Sequence, residues 1–430
     1  MDYQKLFTGD VMPIAGYYGP IASYRDKACL YTTLNYLEDK YFQMLVDCGL
    51  NLINTVDCDY TEEPENFMKT MDLCEKFGLG IFIKDRALET MEGEQNIIER
   101  MKAYSNYECF AGIRVIDEPG TPYYPDPERC GCPTRPLAEY GKIAKKLNDI
   151  PGLLGYVNLY PYYTGLRAVT FEDYKRYVLE YCERVPNLKV LSYDHYVFDE
   201  YDYKAFYNNM SFIRDVAREH NVPFWAYLQC GGQWNRRGMT SLPIFPADGE
   251  FYWNGNVTLA MGARGIQYFP TIAPHGDSIN EKGEIDPCRN GLIAADGSAT
   301  PWYYMAMNFN KQIAAVDEVL MNAEHIGILP VGETAKDDTA CVSCIVDGSG
   351  YRELNNVIAE NGALVGCFDY RGKTALYVVN YDMKNTRNIT LQFDREYEYE
   401  TICAAGRENH TGAVCKLALT KGDATLLVIK

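Results

Sequence analysis

The apolar positions of this 430-residue chain follow one rhythm up to about residue 322 and another after it. In the first part, short apolar runs alternate with stretches whose apolar residues recur every three or four positions, the spacing that lines one face of a helix. The runs predict strands at Met12–Tyr18, Leu52–Asp57, Gly80–Lys84, Gly112–Ile116, Leu154–Leu159, Val190–Tyr193, Phe224–Leu228 and Gly265–Phe269. Helices are expected between them, for instance over Tyr41–Asp47, Phe67–Phe77, Tyr174–Glu183, Phe206–His220 and Trp253–Met261. Several of these stop at a glycine or asparagine (Gly49, Gly78, Asn221, Gly262), the residues that accept the left-handed backbone just past a helix.

Eight strands that each lead into a helical stretch match a (β/α)8 TIM barrel over residues 1–322. A doubly wound sheet would need fewer units and a glycine-rich turn after its first strand. The glycine pair Gly231-Gly232 lacks that spacing. After residue 323 the period falls to two, as in Gly366–Tyr370, Ala375–Asn380, Asn388–Phe393 and Ala424–Ile429, with turn residues between. This second part, 323–430, is expected to be a small antiparallel β-sandwich.

Composition narrows the partners. The formal charge of −18 argues against nucleic acid and anionic membrane surfaces, which need a basic face. No run of about 18 apolar residues occurs, and the N-terminus lacks the apolar core of a signal peptide, so the chain reads as soluble and cytoplasmic. A leader already removed would leave the same sequence. The fifteen cysteines are scattered through predicted strands and helices, which suits buried, reduced thiols better than a disulfide framework. Cys130 and Cys132 are a close pair with no matching Cys or His at zinc spacing, and the five histidines lie far apart in sequence. No metal or cofactor is expected. The C-terminal sandwich is a plausible interface for a homo-oligomer.

The chemistry is expected where strands end on the C-terminal face of a barrel. The fourth strand runs Phe110-Ala-Gly-Ile-Arg-Val-Ile-Asp-Glu-Pro-Gly120 and stops at two adjacent carboxylates, Asp117 and Glu118. Either one could instead cap the next helix. The other strands end near Tyr18, near Asp57, at Lys84-Asp85-Arg86, near Asn158 and Tyr160, near Asp194 and Tyr196, near Gln229 and Trp234, and at Tyr268. A ring of acids, amides and aromatics is what a sugar pocket needs. Aromatic faces stack on pyranose rings while polar groups bind hydroxyls. Glycoside hydrolysis takes one carboxylic acid to protonate the leaving oxygen and a second carboxylate as nucleophile or base. Glu118 is the candidate acid and Asp194 the candidate partner. Asp117, Asn158, Tyr160, Tyr196, Gln229, Trp234, Tyr268, Tyr18 and Asp57 are candidate sugar contacts. His195, next to Asp194, is expected to point away from it, because neighbours on a strand face opposite sides. No Gly-x-Ser-x-Gly elbow is present, and Cys230 reads as a buried thiol.

Taken together, Ile116-Asp-Glu-Pro119, Gly155-Tyr-Val-Asn-Leu-Tyr-Pro161, Leu191-Ser-Tyr-Asp-His-Tyr196, Pro223-Phe-Trp-Ala-Tyr227, Gly262-Ala-Arg-Gly-Ile-Gln-Tyr268 and Asp296-Gly-Ser-Ala-Thr-Pro-Trp302 resemble the large clan of (β/α)8 glycoside hydrolases. They look most like β-galactosidase-like members related to family 42. The resemblance implies that Glu118 is the acid/base, in an Asp-Glu-Pro that replaces the clan's Asn-Glu-Pro. It also implies a nucleophilic glutamate at the end of the seventh strand, where this chain has Gln229. An amide cannot form the glycosyl ester. Asp194 could take that part, or Glu250 if the seventh strand runs in another register. The remaining alternative is a carbohydrate-binding barrel that has lost its nucleophile.

Overall fold

A computed structural model describes residues 9–22, 34–120, 136–164, 169–199, 201–231, 233–234, 243–244, 246–272, 291–346 and 348–430; for 55–57, 199, 233–234 and 243–244 it describes the backbone alone. Eight parallel strands close into a barrel: β1 (Ile14–Tyr17), β2 (Leu52–Asp59), β3 (Gly80–Lys84), β4 (Phe110–Asp117), β5 (Gly155–Leu159), β6 (Leu191–Tyr193), β7 (Phe224–Gln229) and β8 (Ile266–Phe269). Each pairs with its sequence neighbours. The ring shuts where Ile14 pairs with Ile266 on one side of β1 and Ala15 pairs with Leu52 on the other.

Helices follow the strands in turn: α1 (Asp39–Asp47), α2 (Pro64–Phe77), α3 (Glu94–Met101), α4 (Leu137–Asn148), α5 (Phe171–Arg184), α6 (Tyr203–Glu219), α7 (Asp248–Ala260) and α8 (Pro301–Asn322). The eight expected barrel strands are all present, with ends shifted by a residue or two.

Two apolar layers hold the barrel. Outward-facing strand residues pack on the helices in one large cluster. Inside, Ala15 and Ala111 sit among Phe82, Tyr156 and Trp225. Phe82 and Tyr156 stack at 4.6 Å with an interplanar angle of 10°. Small residues leave room for large rings on facing strands, which is how a barrel interior fills without a pore. Gly265 belongs to this arrangement. A Cβ there would stand 2.6 Å from the Trp225 ring, so only glycine lets β8 pass the indole.

The C-terminal part is one antiparallel sheet of seven strands: β9 (Glu324–Val331), β10 (Leu354–Ala359), β11 (Ala363–Tyr370), β12 (Lys373–Asn380), β13 (Arg387–Cys403), β14 (Gly406–Leu419) and β15 (Ala424–Ile429). The order is β9-β11-β12-β15-β13-β10, with β14 hairpinned onto β13. One face encloses its own core, including Leu329, Val365, Leu376, Leu391 and Leu427, so the sheet curls into the expected sandwich-like unit. The other face, with Leu364, Phe368, Tyr377 and Leu426, joins the barrel's large cluster against α7 and α8. At that seam a Cβ on Gly366 would meet the Ala260 carbonyl oxygen at 2.5 Å. Tyr377 donates to Asn256 at 2.6 Å, and Gln312 donates to the Ala424 carbonyl at 2.7 Å. Being covered from both sides explains why α7 is buried around nearly its whole girth, Asn254 and Asn256 included.

Candidate active site

Parallel pairing sets the geometry of the mouth. Asp117, the last residue of β4, lies opposite Asn158 on β5, and Asn158 lies opposite Ser192 on β6. The Asn158 side-chain nitrogen donates to Asp117 Oδ1 at 3.1 Å and to Asp194 Oδ1 at 2.8 Å. One amide thus spends both its N–H donors on two carboxylates, which stand within about 6 Å of each other. Its oxygen accepts from the Ser192 hydroxyl at 2.9 Å. That hydroxyl's only proton is committed there, so Tyr156 (2.8 Å) and Gln267 Nε2 (3.2 Å) are the donors to Ser192. A polar chain therefore climbs from the middle of the barrel to the two acids, and it fixes which way the Asn158 amide points.

Asp117 has a second support. Tyr17, the last residue of β1, donates to Asp117 Oδ2 at 2.7 Å, and Arg114 Nη2 donates to the Tyr17 oxygen at 3.0 Å. Arg114 is 6% exposed, inside the barrel. Burial alone would lower its pKa. Tyr17, Asp117 and Tyr227 outweigh that and hold the guanidinium above its ordinary value, so it stays charged. Burial likewise drives the Tyr17 phenol well up; Arg114 opposes this and Asp117 adds to it. Tyr17 is therefore a neutral link between a buried cation and a carboxylate.

Glu118 comes one residue past the strand and is half-buried. Its amide donates to the Asn158 carbonyl at 2.9 Å, extending the β4–β5 ladder. Its φ of 49° then turns the chain into the left-handed region, out of line with the strand. Among the described residues the helix after β4 begins at Leu137, with Pro136 at its N-cap, and neither Asp117 nor Glu118 caps that helix. Asp194, just beyond β6, is 5% exposed. Burial raises the Tyr196 phenol well above its ordinary value; Asp194, Tyr163, Glu118 and Asp117 raise it further. All three acids thus act on the same phenol.

Beside these groups Tyr17, Tyr196 and Tyr227 form a cluster with Tyr18 and Phe269 packed on it. Tyr196 lies 5.3 Å from the Phe269 ring and Tyr18 5.9 Å from it. Tyr18 too has left-handed backbone, with φ 63°.

The remaining candidates divide. Gln229 does end β7, in register with Phe269, is fully buried, and donates to the Gly231 carbonyl at 3.2 Å. The register is therefore the expected one. Glu250 is no strand-end group: it lies in the first turn of α7, where its carboxylate accepts from the Ala247 amide at 2.7 Å. Tyr268 faces outward. Its neighbours Gln267 and Phe269 turn inward, while its own phenol donates to Asn310 on α8 at 2.6 Å and its ring stacks with Phe251. Tyr160 packs in the main apolar core, its amide bonded to the Tyr177 hydroxyl at 3.0 Å. His195 turns to α6, with Nδ1 at 2.9 Å from Asn209 Nδ2. The side chains of Asp57 and Trp234 lie outside the described residues, as do Cys130 and Cys132.

Sequence reasoning passed over Arg114, Ser192, Tyr156 and Gln267. Their signal was present: polar residues at inward positions of otherwise apolar strands. Among the described residues no group of three His, Cys, Asp or Glu could hold a metal ion, and no helix is long and apolar enough to cross a membrane.

No protein-family model matches the chain, and no curated protein matches it. Solved structures do. A β-galactosidase from Bacillus circulans sp. alkalophilus superposes with a TM-score of 0.55 at 9% identity, covering 98% of this chain and 99% of that one. A catalytic mutant of a family 42 β-galactosidase from G. stearothermophilus gives 0.54 at 10% identity, covering 98% of both. A β-galactosidase from the psychrophilic Marinomonas ef1 is 14% identical over 74% of this chain, with a TM-score of 0.48; the chain spans 63% of that protein's length. Identity this low speaks to architecture alone. The chain has the (β/α)8 fold of glycoside hydrolases, its barrel followed by an antiparallel β unit.

Proposed function

We propose that this chain is a glycoside hydrolase acting on a small oligosaccharide or glycoside. The observation that carries the reading is the Asn158 amide, which ties Asp117 to Asp194 beside Glu118 and a cluster of aromatic rings. A pocket that only bound neutral sugar would gain little from three acids at one rim, because like charges at this range repel. The fold, shared with β-galactosidases, is compatible with this reading.

In this reading Glu118 gives its proton to the glycosidic oxygen as the bond to the anomeric carbon breaks. Asp194 either attacks that carbon or takes a proton from the water that does. Asp117, supplied with donors by Tyr17 and Asn158, accepts a hydroxyl of the sugar, and Tyr18 and Tyr196 offer ring faces.

Gln229 favours a second reading, a sugar-binding barrel without turnover, because it stands where an ester-forming carboxylate would be expected in the clan. One set of measurements separates the two. Wild type, Glu118→Gln and Asp194→Asn are assayed on a panel of aryl glycosides, with Asp194→Gly also tested with added azide. The hydrolase reading expects each amide variant to lose about 10³-fold or more in kcat. A retaining mechanism also predicts that azide yields a glycosyl azide from the glycine variant. Variants as active as wild type reject this site. Saturable sugar binding without hydrolysis by wild type supports the second reading.

A further inference from the structure

The end of the barrel opposite the mouth holds a cavity of about 600 Å³, formed where the strands begin and the C-terminal sheet joins. Lys189 precedes β6, Arg264 precedes β8, Arg214 and Arg218 come from α6, and Glu324 and His325 open β9. The lining thus carries four basic side chains and one carboxylate, with Asp215 paired to Arg214 beside them, in a chain that carries −18 overall.

Part of this charge has a structural task. Arg214 makes four hydrogen bonds: to Asp215 at 2.6 Å, to His325 Nδ1 at 3.1 Å, and to the carbonyls of His325 and Ile326 at 3.1 and 3.2 Å. It clamps the start of the sheet to the barrel. Arg218 and Arg264 are different. Arg218, exposed, pairs with Glu324 at 2.7 Å. Arg264 makes one hydrogen bond, to the Ala323 carbonyl at 2.6 Å, and has no ion pair among the described residues. Yet it is half-buried, and burial depresses its pKa, with Glu324 offsetting part of that. A guanidinium has five N–H donors in a fork that matches a carboxylate or phosphate. Val222, Pro223 and Phe224 supply an apolar wall beside these cations.

We propose that this cavity binds a phosphate monoester, with its dianionic head on Arg264 and Arg218 and its apolar body against Val222, Pro223 and Phe224. The volume lies within the range of small-molecule sites and exceeds what a bare phosphate fills. Charges farther off than about 8 Å are screened at physiological salt, so the local cations decide the sign of the field despite the acidic chain. The site touches both β9 and the floor of the barrel, so an occupant also fastens the two together. This inference does not depend on hydrolysis of a glycoside at the mouth.

The test is calorimetric titration of the full-length protein with phenyl phosphate, inorganic phosphate and benzoate. Phenyl phosphate is expected to bind one to one, about tenfold tighter than inorganic phosphate and than the monoanion benzoate. Arg264→Ala and the exposed Arg218→Ala should each weaken it about tenfold or more, and Glu324→Gln should tighten it. Arg218 lies at the surface, so its variant reports on binding even if Arg264→Ala folds poorly. Absence of saturable binding, equal affinity for benzoate, or indifference to both Arg218→Ala and Glu324→Gln overturns the proposal.

Discussion

At the scale of single residues, buried groups hold the acids of the candidate site in place. Tyr17 is an example. Its hydroxyl takes one bond from the buried Arg114 and gives one to Asp117. Tyr17→Phe deletes both bonds and leaves the guanidinium's donors unmatched inside the barrel. The expected loss is about 2–3 kcal/mol in urea unfolding, at the upper end for a single hydroxyl, because a charged partner is stranded. A loss below about 0.5 kcal/mol would mean that the link bears no weight. The site was partly legible in the sequence. Asp117, Glu118 and Asp194 could be read from acids that end apolar strands. Arg114 could be read as a polar residue in an apolar strand, but its partner could not, because nothing local names the tyrosine from β1 that meets it across the barrel. Tyr268 misled for a related reason: closeness to a strand end does not tell which way a residue faces, and the alternation along β8 turns it to α8.

At the scale of elements, the barrel was readable because each strand and helix carries its own period, and eight such pairs leave little choice of closure. The curled sheet was less so, since pairing order among antiparallel strands depends on long-range contacts; β13 and β14 form one long hairpin that short runs did not reveal. Its turn after β12 offers a quantitative check. Burial alone would raise the Asp382 carboxyl. The Lys384 amide, Asn361, Arg387 and Asn385 outweigh it and hold the group far below its ordinary value of 3.8. A depressed folded pKa means the stabilisation is full above 3.8 and fades as pH falls below it. Asp382→Ala should therefore lower stability by about 2 kcal/mol near neutrality, with the gap to wild type closing as unfolding is repeated at pH 3 and then pH 2. A gap that does not change with pH would assign the effect to packing.

At the scale of the whole molecule, barrel and sheet share one apolar cluster, so they are expected to unfold together. The seam also carries a pH dependence. His325 is pushed well below its ordinary 6.5, by burial first and then by Arg214 and Arg218, and its Nδ1 accepts from Arg214. A base with a depressed folded pKa holds fewer protons folded than unfolded. The stability of the native state is then full above 6.5 and is lost as pH falls below that value. Thermal unfolding should shift downward between pH 6.5 and 5, and His325→Asn, which keeps an acceptor for Arg214, should flatten that slope. An unchanged slope would place the titration elsewhere.

The left-handed backbone at Glu118 sets stability against the proposed chemistry. Among the twenty residues glycine enters that region most easily, so Glu118→Gly is expected to fold at least as stably as wild type, by up to about 1 kcal/mol, while losing the carboxyl. Paired melting curves and assays of that variant would show it; a variant both less stable and inactive would mean that the side chain also holds the mouth together. A laboratory selection for heat resistance alone would then drift toward erasing the acid, and its persistence under such selection would itself be a sign that the acid is used.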